Sequence, residues 1–92
     1  MEQRKKRLKL RAWRRGTREL DLIFGTVVDR LLTDLDEQSV AQIEALLDEN
    51  DLEVYDWLIG KTPVPEKHKN KMMEELQNFA MLSAKLQLGR IG

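Results

Sequence analysis

Between Leu20 and Leu35 the large apolar residues fall three or four positions apart, at Leu20, Ile23, Phe24, Val27, Val28, Leu31 and Leu35. That spacing puts all of them on one face of a helix and on no single face of a strand, so it predicts an amphipathic helix over 18–35. Thr17 stands where an N-cap belongs. Glu19 and Asp21 follow in the first turn, where the helix dipole favours carboxylates. Gly25 interrupts the middle of this helix at a cost of about 1 kcal/mol relative to alanine, which calls for a neighbour packed closely against it.

The remaining chain repeats this period, and no alternation of useful length competes with it. Asp36 is placed to cap a helix carrying Val40, Ile43, Leu46 and Leu47. "D-E-N-D" then breaks the pattern, with Asn50 suited to a left-handed C-terminal position and Asp51 to the next N-cap. "L-E-V-Y-D-W-L-I-G" is short and rich in large apolar groups (Leu52, Tyr55, Trp57, Leu58, Ile59), and Gly60 ends it. "K-T-P-V-P" reads as a linker, and Pro65 suits the first turn of a last helix over about 66–87. That helix carries Met72, Leu76, Phe79, Leu82 or Ser83, and Leu86, with "G-R-I-G" as a frayed end. Ahead of all this, residues 4–15 read as a basic helix with Leu8, Ala12 and Trp13 inward. The fold expected is all-α, a small five-helix bundle forming one domain over 1–92, with its core helices between 18 and 60. Leu20, Phe24, Val27, Leu31, Ile43, Leu47, Leu58 and Leu76 should share one core.

A formal net charge of zero conceals a partition. Residues 1–18 carry +8, residues 19–60 carry −11 and residues 61–92 carry +3. Such a distribution predicts two surfaces of opposite sign and bears on partners rather than fold. The absence of cysteine excludes disulfides and thiolate metal sites, and a single histidine, His68, leaves no histidine pair for zinc. No apolar run approaches the ~20 residues of a membrane span. The first residues lack the apolar stretch of a secretory signal and the serines of a mitochondrial presequence, so a bacterial cytoplasm is expected.

Catalytic constellations are sparse. Gly16 and Gly25 stand alone with no strand before them, so there is no phosphate loop. His68 lies among cations in "K-H-K-N-K" and reads as a solvated surface histidine with no partner that sequence can name. Tyr55, Trp57 and the Met72–Met73 pair read as packing groups. The basic stretch 4–18, with Trp13 available for stacking, admits a nucleic-acid-binding or antitoxin-like regulatory protein as the alternative function. The seam between opposite charges, "R-R-G-T-R-E-L-D", reads first as a corner. Arg14 and Arg15 end one helix, Gly16 takes the left-handed position, Thr17 caps, and Glu19 falls at the second position of the next helix. A corner does not require an exposed Arg15–Glu19 pair. A bare glycine flanked by ions of both signs is also a place that another protein's backbone can approach closely.

At these residues the sequence resembles the SdhE family, whose hallmark Arg-Gly-x-x-Glu with a following x-Asp stands here as Arg15, Gly16, Glu19 and Asp21. A second block, "D-E-N-D-L-E-V-Y-D-W-L", is similar to the family's acidic corner followed by an aromatic and Trp, and the resemblance covers about residues 12–60. Many members carry an apolar residue in place of Thr17. The resemblance implies a non-catalytic assembly factor that binds the flavoprotein subunit of succinate dehydrogenase and promotes its covalent attachment of FAD. The flavoprotein of fumarate reductase is implied as a second client. It further implies that the client forms the histidyl–FAD bond by its own chemistry, that this chain holds no metal or cofactor, and that Arg15, Gly16, Glu19 and Asp21 meet the partner.

Overall fold

The computed structural model describes the backbone of residues 2–91 and the side chains of residues 2–83. Five α-helices follow one another: α1 (Glu2–Ala12), α2 (Arg18–Leu31), α3 (Glu37–Leu47), α4 (Asp51–Leu58) and α5 (Lys71–Ile91). Short 3₁₀ turns occupy Leu32–Asp34 and Glu66–His68, and there is no strand among the described residues. α5 packs against α2, α3 and α4, while α1 lies across α2 and α3.

Local chemistry explains most boundaries. Thr17 Oγ1 accepts from the Leu20 amide at 3.3 Å, and Asp36 Oδ1 accepts from the Ser39 amide at 2.8 Å, so both expected caps form. α2 stops at Leu31 rather than 35, where the chain tightens into the 3₁₀ turn. Leu31 is therefore only partly buried, whereas Leu35 beyond the turn still reaches the core. Asn50 is itself the cap of α4: it sits at φ −65° and accepts from the amides of Leu52 and Glu53, which frees Asp51 for another contact. This replaces the expected left-handed Asn50 and capping Asp51. Gly60, at φ +79°, ends α4 as expected.

The last helix begins at Lys71, not 66. Lys69 leaves helical geometry, and Asn70 Oδ1 then accepts from the Met73 amide at 3.0 Å, starting a new helix. Helical backbone continues to Ile91 instead of fraying at "G-R-I-G"; the Leu86 side chain lies outside the described residues. Phe24, Leu20, Ile43, Leu46, Leu58, Met73 and Leu76 are fully buried in the centre, and Trp57 is 7% exposed. Gln77 ties α5 to α4 by donating to the Trp57 carbonyl at 3.1 Å.

α1 is shorter than expected, ending at Ala12, and Trp13 leaves it to lie across α2. A Cβ on Gly25 would fall 2.2 Å from Trp13 Cδ2, so the glycine is the seat of the indole. Trp13 stays 39% exposed and donates Nε1–H to Asp29 at 3.2 Å, a surface clasp rather than a core residue. Gly25→Ala would gain about 1 kcal/mol in helix propensity yet displace the ring. Overpacking of this kind costs ~1–3 kcal/mol, so a net loss of stability is expected. Thermal melting should show the loss, and the Trp13 indole N–H resonance should move. A stabilised Gly25→Ala with an unmoved resonance would refute the clasp.

Candidate functional site

After α1 the chain turns sharply. The amides of Trp13 and Arg14 close the last turn onto the carbonyls of Lys9 and Arg11, and Gly16 at φ +105° redirects the backbone. Gly16 thus lies in the corner itself, several residues past the helix end, because α1 stops at Ala12. Asp21 reaches back from α2, and its Oδ1 accepts from the backbone amides of Arg15 and Gly16. One side chain of α2 thus clamps two successive amides of the corner. Gly16 remains exposed, and a Cβ there would meet only Asp51 Oδ2, at 3.8 Å.

Arg15 does not stand on the surface beside Glu19. Its side chain is 8% exposed. The guanidinium donates through one nitrogen to the Leu47 carbonyl, and through another to the Glu49 carbonyl at 3.1 Å and the Asp51 carboxylate. It also lies over the Phe24 ring, 5.6 Å from the centroid. The last carbonyls of a helix lack intrahelical donors and carry the negative end of its dipole, so the end of α3 attracts a cation. Asp51, released from capping, supplies the counter-charge. Glu19 is exposed, and its carboxylate makes no hydrogen bond or ion pair among the described residues.

A second network holds the same α3–α4 corner from the far side. His68 is 3% exposed, with Nε2 2.6 Å from Glu49 Oε2 and its ring 5.5 Å from that of Trp57. The solvated histidine expected from sequence is therefore a buried one, because the 3₁₀ turn points its ring inward. Lys67 Nζ adds a 3.1 Å ion pair to the same carboxylate. The hydrogen bond to His68 and then that to Lys67 hold the Glu49 carboxyl below the usual carboxylate range. Glu49 thus gives its backbone to Arg15 and its side chain to His68.

The four sequence candidates are gathered at one corner, but they divide in what they do. Arg15 and Asp21 build the corner from inside, while Gly16 and Glu19 face solvent. Asp51, Glu49 and His68 are additional members of the assembly. The surplus of anions in "D-E-N-D" was the one available signal for them.

A family described as flavinator of succinate dehydrogenase matches residues 6–80. This chain belongs to that family. The chain is 34% identical over 73 residues to the FAD assembly factor SdhE of Acetobacter pasteurianus, covering 79% of this chain and 67% of the relative. It is 30% identical to the mitochondrial succinate dehydrogenase assembly factor 2-A of Drosophila mojavensis, covering 95% and 57%. With the mitochondrial succinate dehydrogenase assembly factor 2 of Drosophila grimshawi the identity is 32%, covering 90% and 58%. The chain therefore spans between 57% and 67% of the length of these relatives. Both corners and the His68 turn lie inside the stretch matched by the flavinator family.

Two outcomes test the corner as structure. Arg15→Ala empties the centre of the assembly and leaves Asp51 and two carbonyls without a donor. Breaking a largely buried pair costs about 3 kcal/mol, so melting should fall steeply where an exposed contact residue would leave it unchanged. For Glu49 the folded pKa is depressed, so its contribution is fully present above the ordinary value of about 4.3 and is lost as pH falls through the folded value. Glu49→Gln should accordingly melt below the parent at neutral pH, with the gap closing as the buffer is taken to about pH 3. Parallel melting curves across that range would show that the Glu49 carboxylate contributes nothing.

Proposed function

We propose that this protein is an assembly factor that binds the flavoprotein subunit of succinate dehydrogenase, with FAD bound, and promotes covalent attachment of the flavin. One observation carries the reading: a buried arginine holds two sequence blocks together so that Gly16 and Glu19 are presented to solvent on one corner, Glu19 with no ion pair among the described residues. Membership of the flavinator family gives that corner its client class. The factor itself performs no bond chemistry. It holds the client in a competent conformation, and the client makes the histidyl–FAD bond. FAD belongs to the client, and no residue of this chain is assigned to it. The fumarate reductase flavoprotein is a second client of the same class. We place the activity in a bacterial cytoplasm, a reading supported by the likeness to a bacterial relative. No described helix is long and apolar enough to cross a membrane.

No observation favours the nucleic-acid alternative, and part of the basic stretch it would use is already engaged. Arg4, Lys9, Arg11 and Arg15 are engaged in ion pairs with Glu44, Asp29, Asp48 and Asp51 of this same chain. Phosphate binding would have to compete with those partners.

Replacing Gly16 and Glu19 separates interface from corner. A side chain at a left-handed position costs roughly 1–2 kcal/mol, and loss of an exposed carboxylate near a helix start costs ~0.3–1 kcal/mol. Gly16→Arg and Glu19→Ala should therefore remain folded. Both should nevertheless abolish or severely reduce flavinylation, since blocked approach or an unpaired partner group weakens binding by ~2–5 kcal/mol. The readout is covalent flavin fluorescence of the client in a denaturing gel, beside melting curves. Full flavinylation with both folded variants would return the corner to plain structure.

A further inference from the structure

Two grooves open on either side of Glu19. The larger, of about 300 Å³, lies between the corner and α4, with Leu20, Leu52 and Tyr55 in its lining and Asp51 beside Glu19. The smaller continues along α2 past Leu22 toward Ile59 and Ala80. Glu19 and Tyr55 belong to both. Three of the large apolar residues that the fold leaves in solvent collect here: Leu52 is 75% exposed, Ile59 47% and Leu22 42%. A single exposed leucine needs no explanation, but a cluster around paired grooves marks a contact surface.

The charges in the lining select the occupant. Both grooves are lined by carboxylates, and among the described residues neither is lined by a lysine or arginine. Asp51 is already matched by Arg15, so Glu19 is the carboxylate left to be answered. An acidic segment would be repelled there. A wholly apolar one would strip water from Glu19 without replacing its hydrogen bonds, which is costly. A cation between two apolar side chains satisfies both requirements, pairing with Glu19 while its neighbours fill the grooves.

We propose that this face receives one segment of the flavoprotein client that carries an arginine or lysine flanked by two large apolar side chains. The cation meets Glu19, one apolar group enters the groove at Leu52 and Tyr55, and the other the groove at Leu22 and Ile59. The proposal rests on the assembly-factor reading above and extends its contact from the corner to the outer faces of α2 and α4.

The experiment uses the full chain and the purified flavoprotein subunit. Leu52→Ser and Ile59→Ser alter exposed side chains, so melting should hold, while affinity measured by calorimetry should fall about tenfold for each, the scale of an apolar interface anchor. A photo-crosslinking residue at position 52 should label one client peptide containing a flanked Lys or Arg. Reversal of that cation to Glu should be rescued by Glu19→Lys. Unchanged affinity in both serine variants, with Gly16→Arg still abolishing binding, would overturn this surface and leave the assembly-factor reading standing. A labelled peptide without a cation would also overturn it. Self-association of the parent chain that the serine variants abolish would instead assign the grooves to a second copy. Failure of the folded parent to bind the flavoprotein at all would remove both readings together.

Discussion

The Arg15 guanidinium ties one helical corner of this molecule to another. Arg15 comes from the turn between α1 and α2, yet its partners are carbonyls and a carboxylate at the turn between α3 and α4. The attraction follows from elementary properties of helix ends: unpaired carbonyls and negative dipole on α3, and a first-turn aspartate on α4. The Phe24 ring beneath it closes the site from the core side. One planar, permanently charged group with several donors in a fixed fork suits this task, and a lysine would not reproduce it. Because Arg15 is committed inward, the outward character of the corner falls to Gly16 and Glu19.

Charge separation along the chain is resolved by folding. The cationic α1 is laid onto acidic helices, with Arg4 against Glu44, Arg11 against Asp48 and Lys9 against Asp29. These pairs are mostly half-exposed and add modest stability individually. They do orient α1, and the Trp13 clasp on Gly25 and Asp29 then anchors its end. Four cations of the first eighteen residues have thus become partners of acidic helices, while Lys6, Arg7, Arg14 and Arg18 stay exposed with no ion pair among the described residues. Around Glu19 the exposed carboxylate is bordered by the apolar side chains Leu22, Leu52 and Tyr55.

The buried His68 shows how far the corner's support extends. Through Glu49 it connects the turn before α5 to the carbonyls that receive Arg15. The Gly16 corner thus rests on a chain of polar contacts that runs to the turn before the last helix. Such networks are costly to break, and this one leaves only the buried Arg15 Nε without a partner among its described members. Order of this kind suits the holding role proposed above, because a preorganised surface loses less freedom when a partner binds.

Sequence periodicity by itself determined the helices, because burial of one face at three- and four-residue spacing leaves little choice of element. Thr17 and Asp36 announced two starts correctly, since a side-chain oxygen before an apolar run has one obvious use. The Gly-centred corner was legible from helix-end chemistry, whereas its Arg-Gly-x-x-Glu motif was legible only through resemblance to a family. What sequence could not supply was the partner of any charge. Asn50 and Asp51 were interchangeable as caps until tertiary contact drew Asp51 to Arg15 and left the capping to Asn50. His68 looked solvated among lysines until the 3₁₀ turn rotated it onto Trp57 and Glu49. Arg15 and Glu19 looked equivalent as exposed ions, and only the approach of α3 and α4 divided them into an internal strut and an open carboxylate. Local spacing is encoded along the chain, whereas pairing across 19 to 36 residues exists only once the helices have packed.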